Sequence, residues 1–192
     1  MAVRFIRKTK TLYKMKIMII LLFALVTSCA ACKKVGLCKD ENLTLNKVEF
    51  IGIQLRIDGF YYGRPTEDYQ GLLSYELFVF YQNGIMMLPG NVEYKKMEEY
   101  IVMISKPGTI EAKYDWGLFN IADKKISIEH WLPAQCGYPA VLRTGEILND
   151  TTFILNKMER RDSQGTTQKD ITQTFLFRQF SPKPDSTNNF IK

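Results

Sequence analysis

Four cysteines, at positions 29, 32, 38 and 136, and one histidine, His130, are the side chains of this 192-residue sequence best suited to covalent or acid–base chemistry. A single histidine excludes a histidine-rich metal site, and any serine or cysteine triad would depend on His130 alone. Ser127 and Cys136 are near it in sequence, but neither sits on a recognisable nucleophile turn or pairs with a spaced acid. Zinc is a poor fit as well, because only Cys136 lies outside the stretch 29–38. Glu98-Glu99, and Asp123 with Glu129, read as solvated faces or turns, and Gly63 and Gly71 flank an ordinary polar loop rather than a phosphate cradle. No catalytic residue, metal ligand or cofactor is therefore expected.

Cys29 stands apart because of what precedes it. Arg4, Arg7, Lys8, Lys10, Lys14 and Lys16 lead into an unbroken apolar run, Ile17 to Val26. A membrane-spanning helix needs roughly 20 such residues, so this run is too short to cross. A cationic segment, a short apolar stretch and then small residues make a secretory signal. Met15 is an alternative start, and both starts keep Lys16 and the run. Leu25-Val26-Thr27-Ser28-Cys29 resembles the lipobox of bacterial lipoproteins. The resemblance implies that the Cys29 thiol receives a diacylglyceryl group, that cleavage leaves Cys29 as the N-terminus, and that acyl chains such as palmitate anchor the chain to a membrane. Cys32 is the competing acceptor, farther from the apolar run. Two or more acyl chains suffice for stable anchoring, at about 0.8 kcal/mol per buried methylene.

Charge agrees with that division. The whole chain carries a formal +6, from 26 basic and 20 acidic residues. Residues 1–28 hold six of the basic residues and no acid, so the remainder is neutral. A neutral exported part has no excess charge to draw in nucleic acid. The expected organisation is a signal peptide over 1–28, a tether over 29–46, a folded domain over 47–180 and a flexible tail over 181–192. Lys33 and Lys34 follow the anchor where some Gram-negative lipoproteins carry an acidic cluster that directs surface display. The expected location is therefore the cell envelope, on the periplasmic face of the outer membrane. An exported chain meets an oxidising compartment, and a disulfide from Cys136 is expected, with Cys38 preferred to Cys32 as its partner.

The elements that would position any site are short and β-rich. Strand patterns run over 48–62, 74–81, 85–88, 116–121, 125–131, 141–148, 151–158 and 171–180. Turn residues separate them, among them Gln82-Asn83-Gly84, Pro89-Gly90, Ala122-Asp123-Lys124 and Asn149-Asp150. Ile126 and Ile128 alternate with polar neighbours, as a half-buried strand should. One helix is expected over 91–105, where Met97, Tyr100, Ile101 and Ile104 share a face, with a strand the alternative over the continuous apolar run Tyr100 to Ile104. Eight antiparallel strands with one inserted helix at this spacing predict a mainly β barrel or sandwich.

Asp58-Gly59-Phe60-Tyr61-Tyr62, Trp116-Gly117-Leu118-Phe119 and the run from Gly145 to Phe153 resemble the lipocalin-like lipoproteins of Gram-negative bacteria. That resemblance covers about 48–180 and implies an eight-stranded antiparallel barrel. The Gly-x-Trp of true lipocalins is missing near the first strand, and fold alone assigns no ligand. Tyr62, Phe78, Phe80, Trp116 and Trp131 are candidates to line a cavity for an apolar ligand, or else to fill the barrel as core. Arg56, Arg64 and Arg143 are the basic residues to watch as partners for a carboxylate or phosphate at a mouth, although Arg56 and Arg143 lie in strand-like runs, where a solvated outer-face position is the expected one. Two functions follow as expectations: a membrane-anchored binder of a small apolar ligand, or a non-catalytic envelope module with a filled barrel that meets another envelope protein.

Overall fold

The computed structural model describes residues 39–67, 73–106 and 108–192. The signal segment, Cys29, Cys32 and Cys38 lie outside the described residues. From Asp40 onward the chain is one unit, built from nine strands and one helix: β1 (Gly59–Glu67), β2 (Leu73–Phe80), β3 (Ile85–Met87), β4 (Asn91–Glu93), α1 (Met97–Ile104), β5 (Trp116–Ala122), β6 (Lys125–Trp131), β7 (Ala140–Asn149), β8 (Thr152–Asp162) and β9 (Gly165–Gln179).

Every strand pairing is antiparallel, and the order β1-β9-β8-β7-β6-β5-β3-β2 closes because β1 also pairs with β2. β4 is the continuation of β3 after Pro89-Gly90: β3 pairs with one half of β2 and β4 with the other. The result is a closed, antiparallel eight-stranded barrel with one helix, one of the two architectures that the strand spacing allowed and the one that the resemblance implied.

Three expected elements differ from those observed. The stretch 48–62 is strand only from Gly59. Its earlier part crosses one end of the barrel, where Phe50 N–H donates to Gln82 O at 2.7 Å and Arg56 N–H to Asp150 O at 2.9 Å. Leu55 is buried there, while Ile51 and Ile53 are exposed, so the apolar alternation that suggested a strand serves an end plug instead. The helix is shorter than 91–105, because Asn91–Glu93 is needed to pair with Ser74–Glu76 and Tyr94–Lys96 forms a 3-10 turn. The last hairpin is longer than expected: β8 reaches Asp162, β9 begins at Gly165, and the ladder between them continues to the turn.

Period-two alternation sorts the apolar residues onto two faces. Tyr61, Phe78, Phe80, Phe119, Ile126, Ile128, Phe153, Leu155 and Phe175 form the interior cluster. Phe60, Leu77, Val79, Met87 and Trp116 point outward and are covered by Met97, Ile101 and Ile104 of α1. Residues 181–192, read from sequence as a flexible tail, pack beside this helix. Ser105 Oγ donates to Pro182 O at 3.2 Å, and Lys183 Nζ donates to Ile57 O at 2.6 Å and to Phe80 O.

The described end of the expected tether is also held. Glu129, on the outer face of β6, is fully buried, and its carboxylate accepts from Thr44 N–H (2.6 Å), Leu45 N–H (2.7 Å), Thr44 Oγ1 (3.0 Å) and Arg161 Nη2. Trp131 Nε1 donates to Glu41 O at 2.7 Å, and Lys113 pairs with Asp40 at 2.6 Å. Residues 40–46 thus form a strap clasped to the barrel wall. Cys136, in the loop after β6, is disulfide-bonded.

Candidate functional site at the barrel mouth

Four strands change character as they run away from the plugged end. Along β2 the inward row reads Phe80, Phe78, Glu76, and along β9 it reads Phe177, Phe175, Gln173. On β7 it reads Ile147, Gly145, Arg143, and on β6 Ile126, Ile128, His130. Register brings these row ends together, since Ile128 pairs with Arg143 and His130 with Val141. The barrel therefore has an apolar lower interior and a polar floor beneath its mouth. Gly117 of β5 makes room for this floor: a Cβ there would fall 2.8 Å from the His130 Cβ and 2.5 Å from the Met86 methyl.

Arg143 is the centre of the floor and only 8% exposed. Its Nη1 donates to Glu76 Oε2 at 2.7 Å, with Gln173 Oε1 at 3.5 Å. The guanidinium also sits 5.8 Å from the Phe78 ring centroid. His130 Nδ1 lies 2.8 Å from Trp131 O, a group that can only accept, so Nδ1 carries the proton and Nε2 is free to accept from Arg143 Nη2 at 3.3 Å. Burial, and then the Arg143 charge, hold the His130 pKa down at about 3, so the imidazole is neutral near pH 7. A neutral imidazole locked between a carbonyl and a guanidinium orients Arg143. Both ring nitrogens are thereby engaged. Among the described residues no group of three or more His, Cys, Asp or Glu side chains could hold a metal, and no helix is long and apolar enough to cross a membrane.

Above this floor is a pocket of about 310 Å³, lined by Arg64, Glu76, Arg143, Lys169 and Gln173 with Met158, Ile171 and Phe175 among its apolar members. Arg143 is buried and inward rather than on the solvated outer face expected of it, and two of the three arginines singled out from sequence, Arg64 and Arg143, meet here. Arg56 does not: it lies at the plugged end, paired with Asp58 at 2.5 Å and 4.6 Å from the Phe177 ring centroid.

The five aromatic residues weighed as a cavity lining or a barrel core are divided among four places. Phe78 and Phe80 are interior and pack in a continuous set of rings: Phe80 on Phe119 at 4.7 Å, Phe78 on Phe175 at 4.9 Å, Phe153 on Phe175 at 4.9 Å and Tyr61 on Phe153 at 5.1 Å between centroids. Tyr62 is outside, edge-on to Tyr75 and Tyr94. Trp116 is under α1, and Trp131 is on the wall beneath the strap with Lys113 Nζ 4.3 Å from its ring centroid. The reason is strand phase. Tyr61, Gly117 and His130 take the inward positions, and a one-residue offset puts Tyr62, Trp116 and Trp131 on the other face. Sequence reasoning missed Glu76, Lys169 and Gln173; Glu76 and Gln173 were signalled by polar interruptions at matching ends of aromatic strands. Compared with known proteins, the chain matches no family model, no curated protein and no solved structure.

Proposed function

We propose that the chain is an exported lipoprotein of lipocalin-like type, held on an envelope membrane by lipid on Cys29, whose barrel serves as a solid, non-catalytic module rather than as a carrier with a ligand in its interior. The observation that carries this reading is the packed ring set inside the barrel. Tyr61, Phe78, Phe80, Phe119, Phe153 and Phe175 are each no more than 1% exposed and lie against one another. Eight-stranded barrels have interiors just wide enough for side chains to fill, and these rings occupy the lower half of this one. Ring pairs of this kind add about 0.5–1.5 kcal/mol each beyond area burial, so opening the interior to a guest is costly. The strap at 40–46 supports the anchoring half of the reading, because it fixes the chain that leads from the lipid to the wall of a rigid body. Cys38 as the disulfide partner of Cys136 belongs to the same proposal.

The test uses a soluble chain beginning at residue 30, titrated with a neutral hydrophobic dye. The expected result is no saturable uptake by the folded chain, and saturable uptake once Phe153→Ala hollows the ring set. One-to-one saturable uptake by the unaltered chain would show a carrier interior and overturn the proposal.

A further inference from the structure

We propose that the mouth pocket is a binding site for a small anion, a carboxylate or phosphate group on a compact, partly apolar molecule. The inference does not depend on the lipid anchor and concerns a part of the barrel that the ring set leaves open.

Charge decides the class of ligand. Three cationic side chains, Arg64, Arg143 and Lys169, line the pocket against one carboxylate, Glu76. Glu76 is already engaged by Arg143 at 2.7 Å. Arg64 and Lys169 are exposed on the rim and have no ion-pair partner among the described residues. A cation or a neutral molecule gains nothing from that surplus, whereas an anion is drawn in by it.

The floor is built rather than incidental. Arg143 is more than nine-tenths buried and held by Glu76, Gln173 and His130 from three strands, and its Nε–H has no hydrogen-bond partner among the described residues. A buried N–H donor left without an acceptor is costly unless a ligand supplies one. Planar guanidinium groups suit carboxylates and phosphates, which accept two parallel N–H bonds. Met158, Ile171 and Phe175 supply an apolar side against which the rest of the ligand would lie. At about 310 Å³ the pocket is at the lower end of ligand sites, which run from about 300 to 1,000 Å³, so the ligand is small.

The experiment is methyl NMR on the full chain in detergent at fixed concentration, with labelled methionine and isoleucine methyls and sodium benzoate as the probe. Benzyl alcohol and benzylammonium carry the same ring without the anion, and inorganic phosphate tests the other anionic head. The expected result is saturable shifts at the Met158 and Ile171 methyls with benzoate or phosphate, and none with the alcohol or the ammonium. Arg64→Gln with Lys169→Gln, both exposed and so without cost to the fold, should weaken anion binding about tenfold, the effect of removing two partly screened charges. Glu76→Gln should strengthen it by freeing Arg143. Equal shifts with benzyl alcohol, no saturable shifts with either anion, or an affinity unchanged in the double variant would each overturn the proposal. Phosphate alone producing shifts would assign the anion as phosphate and support it.

Discussion

Acidification tests the floor of the mouth through one buried side chain. His130 is fully buried, with its Nδ1–H donated to Trp131 O and its Nε2 turned to Arg143. Burial first and the Arg143 charge second lower its pKa to about 3, against about 6.5 in an unfolded chain. Between those values the unfolded chain binds a proton at His130 and the folded chain does not. Stability from this group is thus fully present above about pH 6.5 and is lost as pH falls, by about 1.4 kcal/mol per unit. Lowering the pH from about 7 to about 4.5 should remove roughly 2–3 kcal/mol through His130. Asp115 acts in the opposite sense. Burial raises its pKa to about 6, so its protonation favours the folded state as the pH drops below that value. Comparison with His130→Gln removes the Asp115 contribution, since both proteins share it, and glutamine keeps an acceptor for Arg143 while taking no proton. Urea unfolding of the two proteins in steps across about pH 7.5 to 4.5 should show the stability advantage of histidine over glutamine shrinking by about 2–3 kcal/mol. A difference that stays constant across that range would refute the neutral, fully buried His130 and the arrangement of the floor built on it.

Glu129→Gln should destabilise by about 2–4 kcal/mol, because Arg161 loses its buried countercharge and two backbone donors lose a charged acceptor. Hydrogen exchange should show protection lost first at the Thr44 and Leu45 amides; protection unchanged there would mean that the strap is held by other contacts. Phe153→Ala removes a fully buried ring at the centre of the interior set and should cost about 3–5 kcal/mol in urea unfolding; a cost below about 1.5 kcal/mol would mean that the interior is loosely filled. Gly145→Ala should also destabilise, since a Cβ there would fall 1.8 Å from Ile154 O across the β7–β8 ladder. A melting temperature equal to that of the unaltered protein would contradict the close approach.

Much of the fold could be read from local pattern. Asn83-Gly84, Asp123 and Asn149-Asp150 mark turns that the structure keeps, and Asp123 adopts the positive φ (56°) such a turn asks for. Pattern was misleading where tertiary context competed with it. Val48 to Ile57 alternates like a strand but is used to plug an end, and Asn91–Glu93 begins a helical-looking stretch but is taken by the edge of β2. The candidate site was only partly legible. Composition showed that aromatic residues were abundant, yet which of two neighbours points inward depends on register, and register is a long-range property. Tyr61 and Tyr62 are indistinguishable by residue type; one is core and the other is on the outer wall. Arg143 could be singled out as a basic residue but its inward face could not be read, because its partners Glu76 and Gln173 are 67 and 30 residues away in sequence and meet it only when the barrel closes.

The anchor is the claim on which the placement of the protein in the cell depends, and intact mass spectrometry of the chain extracted from the membrane fraction tests it most directly. The account predicts a mature chain that begins at Cys29 and carries a diacylglyceryl group on its sulfur, with unprocessed precursor accumulating for Cys29→Ala. A chain that still matures and takes up lipid after that substitution, or an unmodified Cys29 in the native protein, would contradict it.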